Sequence, residues 1–367
     1  MKRFEALALA LLTALLAGCR QAAPVDTVPE TAAVFASATE TTAVPETTKA
    51  EETEPVETEA QPERFLLTFA GDCTLGSNPV NYYADFGFIK TVGEDYGYPF
   101  RNVIGYFEAD DFTMVNLEGA LCDEGNPVPK RFNFRGPTAY TAILTGSSVE
   151  AVTIANNHAM DYGERGYAST REALDSAGIP YVERDGSRLV TTDNGLTIGL
   201  YGMVYYKLDV EKMVEGIQSL KEQGAEIVIV APHWGIEYTY RPTQEQQQVA
   251  HAAIDAGADI VFGTHPHVLQ PIEVYGDGVI YYSLGNFSFG GNGAPDDYDT
   301  ALLQQEIIRQ PDGTIALGQL TRIPACISSI PERNNFQPTP MEPGSEGYDR
   351  VLRKLDGSFD GPNLKIH

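Results

Sequence analysis

The chain has 367 residues, with 25 Lys and Arg against 51 Asp and Glu, and a formal net charge of −26. So acidic a surface excludes nucleic-acid binding by broad phosphate neutralisation. A composition of 43% hydrophobic and 21% charged residues excludes a wholly disordered polymer.

Lys2 and Arg3 precede an apolar run from Ala6 to Ala17, the charged start and short hydrophobic segment of a secretory signal. Twelve residues are too few to anchor a chain across a bilayer. The run ends in Leu16-Ala17-Gly18-Cys19, which resembles the lipobox of bacterial lipoproteins. That resemblance implies a signal over residues 1–19, lipidation of Cys19, and an extracytoplasmic protein held at the cell membrane. An ordinary secretory signal, leaving Cys19 free, is the alternative. Residues 20–64 hold nine Thr, nine Glu and five Pro with Phe35 as the sole aromatic, a composition expected to remain a disordered linker. Flexible-chain scaling gives it a reach of about 35–40 Å. Cys73, Cys122 and Cys326 then remain, an odd number that sets no disulfide framework.

From Phe65 onward, short β-rich runs alternate with helical patterns, predicting a layered α/β domain over residues 65–330. Strands are expected at Phe65–Ala70, Phe112–Leu117, Val152–Ala155, Thr197–Met203, Ile227–Ala231 and Ile260–Phe262. Helices are expected at Asn102–Ala109, Arg165–Ala177, Val210–Gln223 and Thr243–Ala256. The later runs Ile272–Tyr275, Val279–Leu284, Ala301–Arg309 and Thr314–Ile323 are separated by turn residues and predict an antiparallel meander. Residues 331–367, rich in Pro, Asn and Gly, predict a loosely packed C-terminal extension with a short helix near Tyr348–Leu355.

Four of the six histidines follow predicted strands, where ligands bind in open α/β sheets. The strand ends carry Gly71-Asp72, Asn116-Leu117-Glu118, Asn156-Asn157-His158, Pro232-His233-Trp234 and Gly263-Thr264-His265-Pro266-His267. Carboxylates mixed with neutral imidazoles suit a transition metal (Mn, Zn or Fe), one or two ions. Singly, each cluster has a plainer reading: Gly71-Asp72 as a turn, Asn156-Asn157 as a helix cap, His233 as a packed core histidine. In His265-Pro266-His267, proline favours an extended segment in which both imidazoles share one side.

Together with Asp161-Tyr162-Gly163, His233-Trp234-Gly235-Ile236-Glu237 and Ser283-Leu284-Gly285-Asn286-Phe287, these motifs resemble the CapA family. That family is associated with poly-γ-glutamate capsule synthesis and export. It is in turn similar to calcineurin-like metallophosphoesterases, which implies an α/β (α+β layered) four-layer sandwich of two mixed β-sheets flanked by helices. Carried over motif by motif, the resemblance implies Asp72, Glu118, Asn157, His233, His265 and His267 as metal ligands, with His158 and Asn157 catalytic. Two departures are visible. Position 74 is Thr where the phosphoesterase motif Asp-x-His has histidine, and Asn116-Leu117-Glu118 replaces the bridging aspartate motif.

The basic stretch Lys130-Arg131-Phe132-Asn133-Phe134-Arg135 offers Arg131 and Arg135 for an anionic substrate, or else an edge strand with outward charges. The expected function is a membrane-tethered CapA-like protein with a metal-dependent hydrolase site. Its expected partners are the membrane, an anionic envelope polymer and capsule synthase components, with no nucleic acid. The alternative is a non-catalytic accessory protein binding polymer or synthase.

Overall fold

A computed structural model describes residues 60–365 of the protein. The expected signal, Cys19 and most of the expected linker lie outside them. The strand expected from Phe65 already begins inside the expected linker, where Glu63 and Arg64 pair with Arg309 and Ile308.

In chain order the elements are β1 (Glu63–Thr74), α1 (Phe88–Val92), α2 (Ile104–Phe107), β2 (Phe112–Leu117), β3 (Ala120–Leu121), β4 (Arg135–Gly136), α3 (Thr141–Thr145) and β5 (Ala151–Thr153). There follow α4 (Gly163–Ser176), β6 (Tyr181–Val182), β7 (Ser187–Thr191), β8 (Thr197–Val204), α5 (Val210–Glu222), β9 (Ile227–His233) and α6 (Gln244–Asp255). The last are β10 (Ile260–Phe262), β11 (Ile272–Tyr275), β12 (Gly278–Tyr281), β13 (Asn286–Phe289), β14 (Asp299–Arg309), β15 (Ile315–Cys326), β16 (Thr339–Pro340) and α7 (Glu346–Leu355).

The first sheet runs β16-β15-β14-β1-β2-β5-β6, with β13 joining the C-terminal end of β1; the second runs β11-β12-β10-β9-β8-β7. Three apolar interfaces separate four layers. Phe69, Phe112, Leu200, Ile229, Phe262 and Leu303 fill the space between the sheets. Phe88, Phe107, Ile143 and Leu174 bring α1–α4 onto the outer face of the first sheet. Met213, Ile217, Val249 and Ala253 bring α5 and α6 onto the second. This is the four-layer sandwich of two mixed sheets flanked by helices that the motifs imply. Its α6 starts with a capping box, Thr243 accepting from the Gln246 N–H while the Gln246 side chain accepts from Thr243.

The expected meander is not one sheet. Hairpin β11–β12 extends the second sheet, with β12 parallel to β10, while hairpin β14–β15 extends the first, with β14 antiparallel to β1. The chain crosses between sheets at Ser283-Leu284-Gly285, where local turn signals cannot say which edge each hairpin joins.

The C-terminal region is also not loosely packed. Phe336, Val351 and Leu355 are buried in the core, and β16 pairs with β15. Lys354 is buried against Asp297 at 2.6 Å and Asp299 at 2.7 Å. Its many polar residues satisfy buried groups rather than solvent: the Asn334 amide donates to the Phe289 carbonyl, and Arg350 grips Asp299 with two bonds of 2.7 Å.

Candidate metal centre

Side-chain alternation brings the strand-end clusters together. In β2, Phe112 and Met114 face the inter-sheet core, and Asn116 follows on the same side. In β9, Ile227, Ile229 and Ala231 face that core, so His233 does too, while Trp234 packs under α6. In β1 the simple alternation would turn Asp72 away from Phe69. A register shift between Ala70 and Asp72 corrects this, pairing Asp72 with Asn116 as Phe69 pairs with Met114. The bulge re-aims the carboxylate inward, and the Asn116 amide donates to Asp72 Oδ1 at 2.8 Å.

At the centre lies Glu118, fully buried, with both carboxylate oxygens lacking a hydrogen-bond partner. Three imidazole Nε2 atoms face its Oε1: His233 at 3.7 Å, His267 at 3.8 Å and His158 at 3.9 Å. Asp72 Oδ2 lies 3.1 Å from His267 Nδ1, which also meets Asn286 Oδ1 at 3.0 Å. Asn157 Oδ1 and His265 Nδ1 approach His233 Nε2 at 3.0 and 3.1 Å. Donor atoms of Asp72, Glu118 and His267, and separately of Glu237, His265 and His267, lie within 4.8 Å of one another.

The charges fit a cation. Burial, then the neighbouring Asp72 carboxylate, push Glu118 well above the ordinary carboxylate range. Burial and His265 hold His233 well below the usual histidine range. Burial likewise brings His265 down to about 3. Those two rings are neutral and keep lone pairs. His267 is pushed up to about 10: burial opposes its charge, but Glu118 and Asp72 outweigh it. A proton thus sits where a divalent ion would neutralise the same carboxylates. An orphaned buried carboxylate ringed by imidazoles and a second carboxylate suits Mn, Zn or Fe.

The last His-x-His motif reaches this point differently from its expected extended form. His265 has φ +98° and His267 φ +58°, so a tight left-handed turn brings the rings together at 5.9 Å. Such backbone is strained for histidine and is held by surrounding contacts. Tyr205, directly after β8, stacks on His265 at 4.7 Å. Asn156 caps no helix, because α4 begins at Gly163; its amide instead donates to Asn116 Oδ1 and the Leu117 carbonyl.

His158 Nδ1 lies 2.7 Å from Asp161 Oδ2, and since the carboxylate only accepts, that nitrogen carries the proton and Nε2 faces Glu118. Phe134 stacks on the His158 ring at 4.3 Å. Arg131 and Arg135 turn elsewhere. Arg131 is exposed over Phe132, and Arg135 lies between Tyr82 at 4.8 Å and Tyr162 at 5.1 Å. The basic residue that reaches the centre is Lys130, whose Nζ is 2.5 Å from Asp161 Oδ1 and 3.0 Å from the Asn157 carbonyl. Of the expected edge strand only Arg135–Gly136 forms, as β4. Lys130, Asn116, Asp161, Glu237 and Asn286 join the residues singled out from sequence. Glu237, Asp161 and Asn286 were visible inside the motifs, whereas Lys130 was masked by its arginine neighbours.

Residues 66–291 match the family described as bacterial capsule synthesis protein PGA_cap. The chain belongs to that family. This PGA_cap chain is 32% identical over 320 residues to the PGA biosynthesis protein CapA of Bacillus subtilis, covering 80% of this chain and 78% of that one. It is 29% identical over 291 residues to the capsule biosynthesis protein CapA of Bacillus anthracis, covering 70% and 66%. The solved structure of Haemophilus influenzae NAD nucleotidase overlays with a TM-score of 0.42 at 12% identity, covering 82% of this chain and 63% of that chain.

Proposed function

We propose that this PGA_cap protein is a membrane-tethered, extracytoplasmic participant in capsule or poly-γ-glutamate synthesis or export, with a metal-dependent hydrolase site acting on an envelope polymer. The names of its two CapA relatives support the pathway. The single observation that carries the hydrolase reading is Glu118, a buried carboxylate without a hydrogen bond and faced by three imidazoles.

Asp72, Glu118, Asn157, His233, His265 and His267 would hold one or two ions, which when bound supply Lewis acidity and activation of water. Burial holds His158 below the usual histidine range, so the resting ring is neutral. Its Nε2 accepts a proton from the attacking group and returns it to the leaving group. Asp161 fixes the ring through Nδ1, Phe134 fixes its plane, and Lys130 fixes Asp161. Lys130 also places positive charge beside the centre of an otherwise acidic domain, where a phosphoester or a carboxylate-bearing amide polymer can dock locally.

Elemental analysis of the purified protein tests this. Near-stoichiometric Mn, Zn or Fe is expected, lost on His265→Ala/His267→Ala; a metal-free wild type after reconstitution would refute it. A second reading, a non-catalytic accessory protein for polymer or synthase, draws on Thr74 in place of a ligand histidine. Under it, the double alanine variant keeps polymer production in cells. The tether is tested through Cys19→Ala, which should move the protein from the membrane fraction to the soluble extracytoplasmic fraction; unchanged membrane retention would count against lipidation.

A further inference from the structure

Glu237 lies on the loop after β9, directly before Tyr238, whose backbone is clamped at both its N–H and its carbonyl. The Tyr238 N–H donates to the Pro266 carbonyl at 2.8 Å, inside the His265-Pro266-His267 turn. The Tyr238 carbonyl accepts from the Leu364 N–H at 3.0 Å. Tyr238 itself has φ +61°, a left-handed conformation costly for a bulky residue, so these clamps are needed to hold it. Further along, the Tyr240 N–H donates to Asn363 Oδ1 at 3.0 Å, and Arg241 donates to the carbonyls of Gly357 and Phe359. Phe359 packs edge-on against Tyr240 at 4.9 Å. The segment making these bonds follows α7, whose Lys354 is locked to Asp297 and Asp299. Asp297 also accepts from the Tyr240 hydroxyl at 2.9 Å. All of this segment lies beyond residues 66–291, the part that matches the family.

Resting on the metal reading above, we propose that residues 357–364 act as a strap that holds Glu237 beside His265 as ligands of a second metal position, next to the first position, which takes His267. The loop has no regular secondary structure of its own between β9 and α6. Freed from the strap, Tyr238 relaxes from its strained conformation and carries the adjacent carboxylate away from the imidazoles. The first position draws its carboxylates from Asp72 on β1 and from Glu118 directly after β2; only its His267 lies on the turn that Tyr238 clamps, so the strap bears on it less. The C-terminal segment thereby sets how many ions the centre takes.

The test is calorimetric titration of the purified protein with Mn²⁺ alone. The full chain is expected to take up two ions. A chain ending at Asp356, which keeps α7 and its buried Val351 and Leu355, is expected to keep the first and to bind the second at least about tenfold more weakly, the usual scale for loss of ligand support. Glu237→Gln in the full chain should give the same pattern. Should the shortened chain fail to fold by circular dichroism, Arg241→Ala/Asn363→Ala in the full chain decides, with the same loss expected. Unchanged uptake of both ions in the strap variants overturns the proposal, as does a single ion in wild type that Glu237→Gln leaves untouched. A wild type that takes up no Mn²⁺ overturns the underlying metal reading and the strap with it.

Discussion

Glu118→Gln should yield a metal-free protein that is more stable than the metal-free wild type, by about 1–3 kcal/mol, and that binds a transition metal more than about 100-fold more weakly. Glu118 is fully buried, and neither oxygen has a hydrogen-bond partner. In the ion-free fold Glu118 is therefore a buried carboxyl group without a hydrogen bond, its charged form opposed by burial and by Asp72, while His267 and Asp72 pair at 3.1 Å. Glutamine removes the charge at constant shape, and its amide can donate to the facing imidazoles. The pH dependence has a definite sign. Burial and Asp72 raise Glu118 in the folded state above its unfolded value, so its contribution is present at low pH and lost as pH rises. The advantage of the glutamine variant should accordingly be smallest below the ordinary carboxylate range and grow as pH rises above it. Urea unfolding of both proteins in chelator across that range reads the difference; equal stability at all pH values would mean that Glu118 is already compensated. A protein that gains stability and loses metal through one substitution shows the stability cost a functional site carries.

Gly71→Ala should destabilise the protein by about 3 kcal/mol or more, and deplete bound metal in whatever fraction folds. A Cβ at this position would lie 2.0 Å from the Gly285 carbonyl oxygen and 2.9 Å from that of Leu284. Both obstacles are backbone, in the segment that crosses between the sheets. The Asp72 N–H donates to the same Gly285 carbonyl at 2.8 Å, so relief of the clash must pull the Asp72 carboxylate off its anchor. Gly105→Ala is the control. It sits within α2 with open space around its Cβ, and is expected to be neutral or stabilising by up to about 1 kcal/mol. Urea midpoints for the two variants that coincide would remove the close approach as the reason for glycine at 71.

The sequence by itself determined the order of the main strands and the convergence of Asp72, Glu118, His158, His233, His265 and His267, because both are local properties. Short, largely apolar runs mark β2, β9 and β10, and the residue after a parallel strand falls at the same edge whichever strand it follows. Sequence also contained the family motifs, with Glu237 and Asp161 inside them. What only the tertiary structure decided depends on contacts between distant segments. The bulge that turns Asp72 inward exists because β13 and β2 flank β1 there. The left-handed turn at His265 and His267 is a backbone state that an His-Pro-His string does not announce, and it is held by Tyr238 from another loop. Lys130, rather than Arg131 or Arg135, reaches the centre because the path of its loop, not the charge density of the stretch, sets which ammonium meets Asp161. The C-terminal region read as loose because its polar residues carry no periodicity. Their partners, Asp297, Asp299 and the loop after β9, lie roughly 50 to 120 residues away in sequence, beyond the reach of any local pattern.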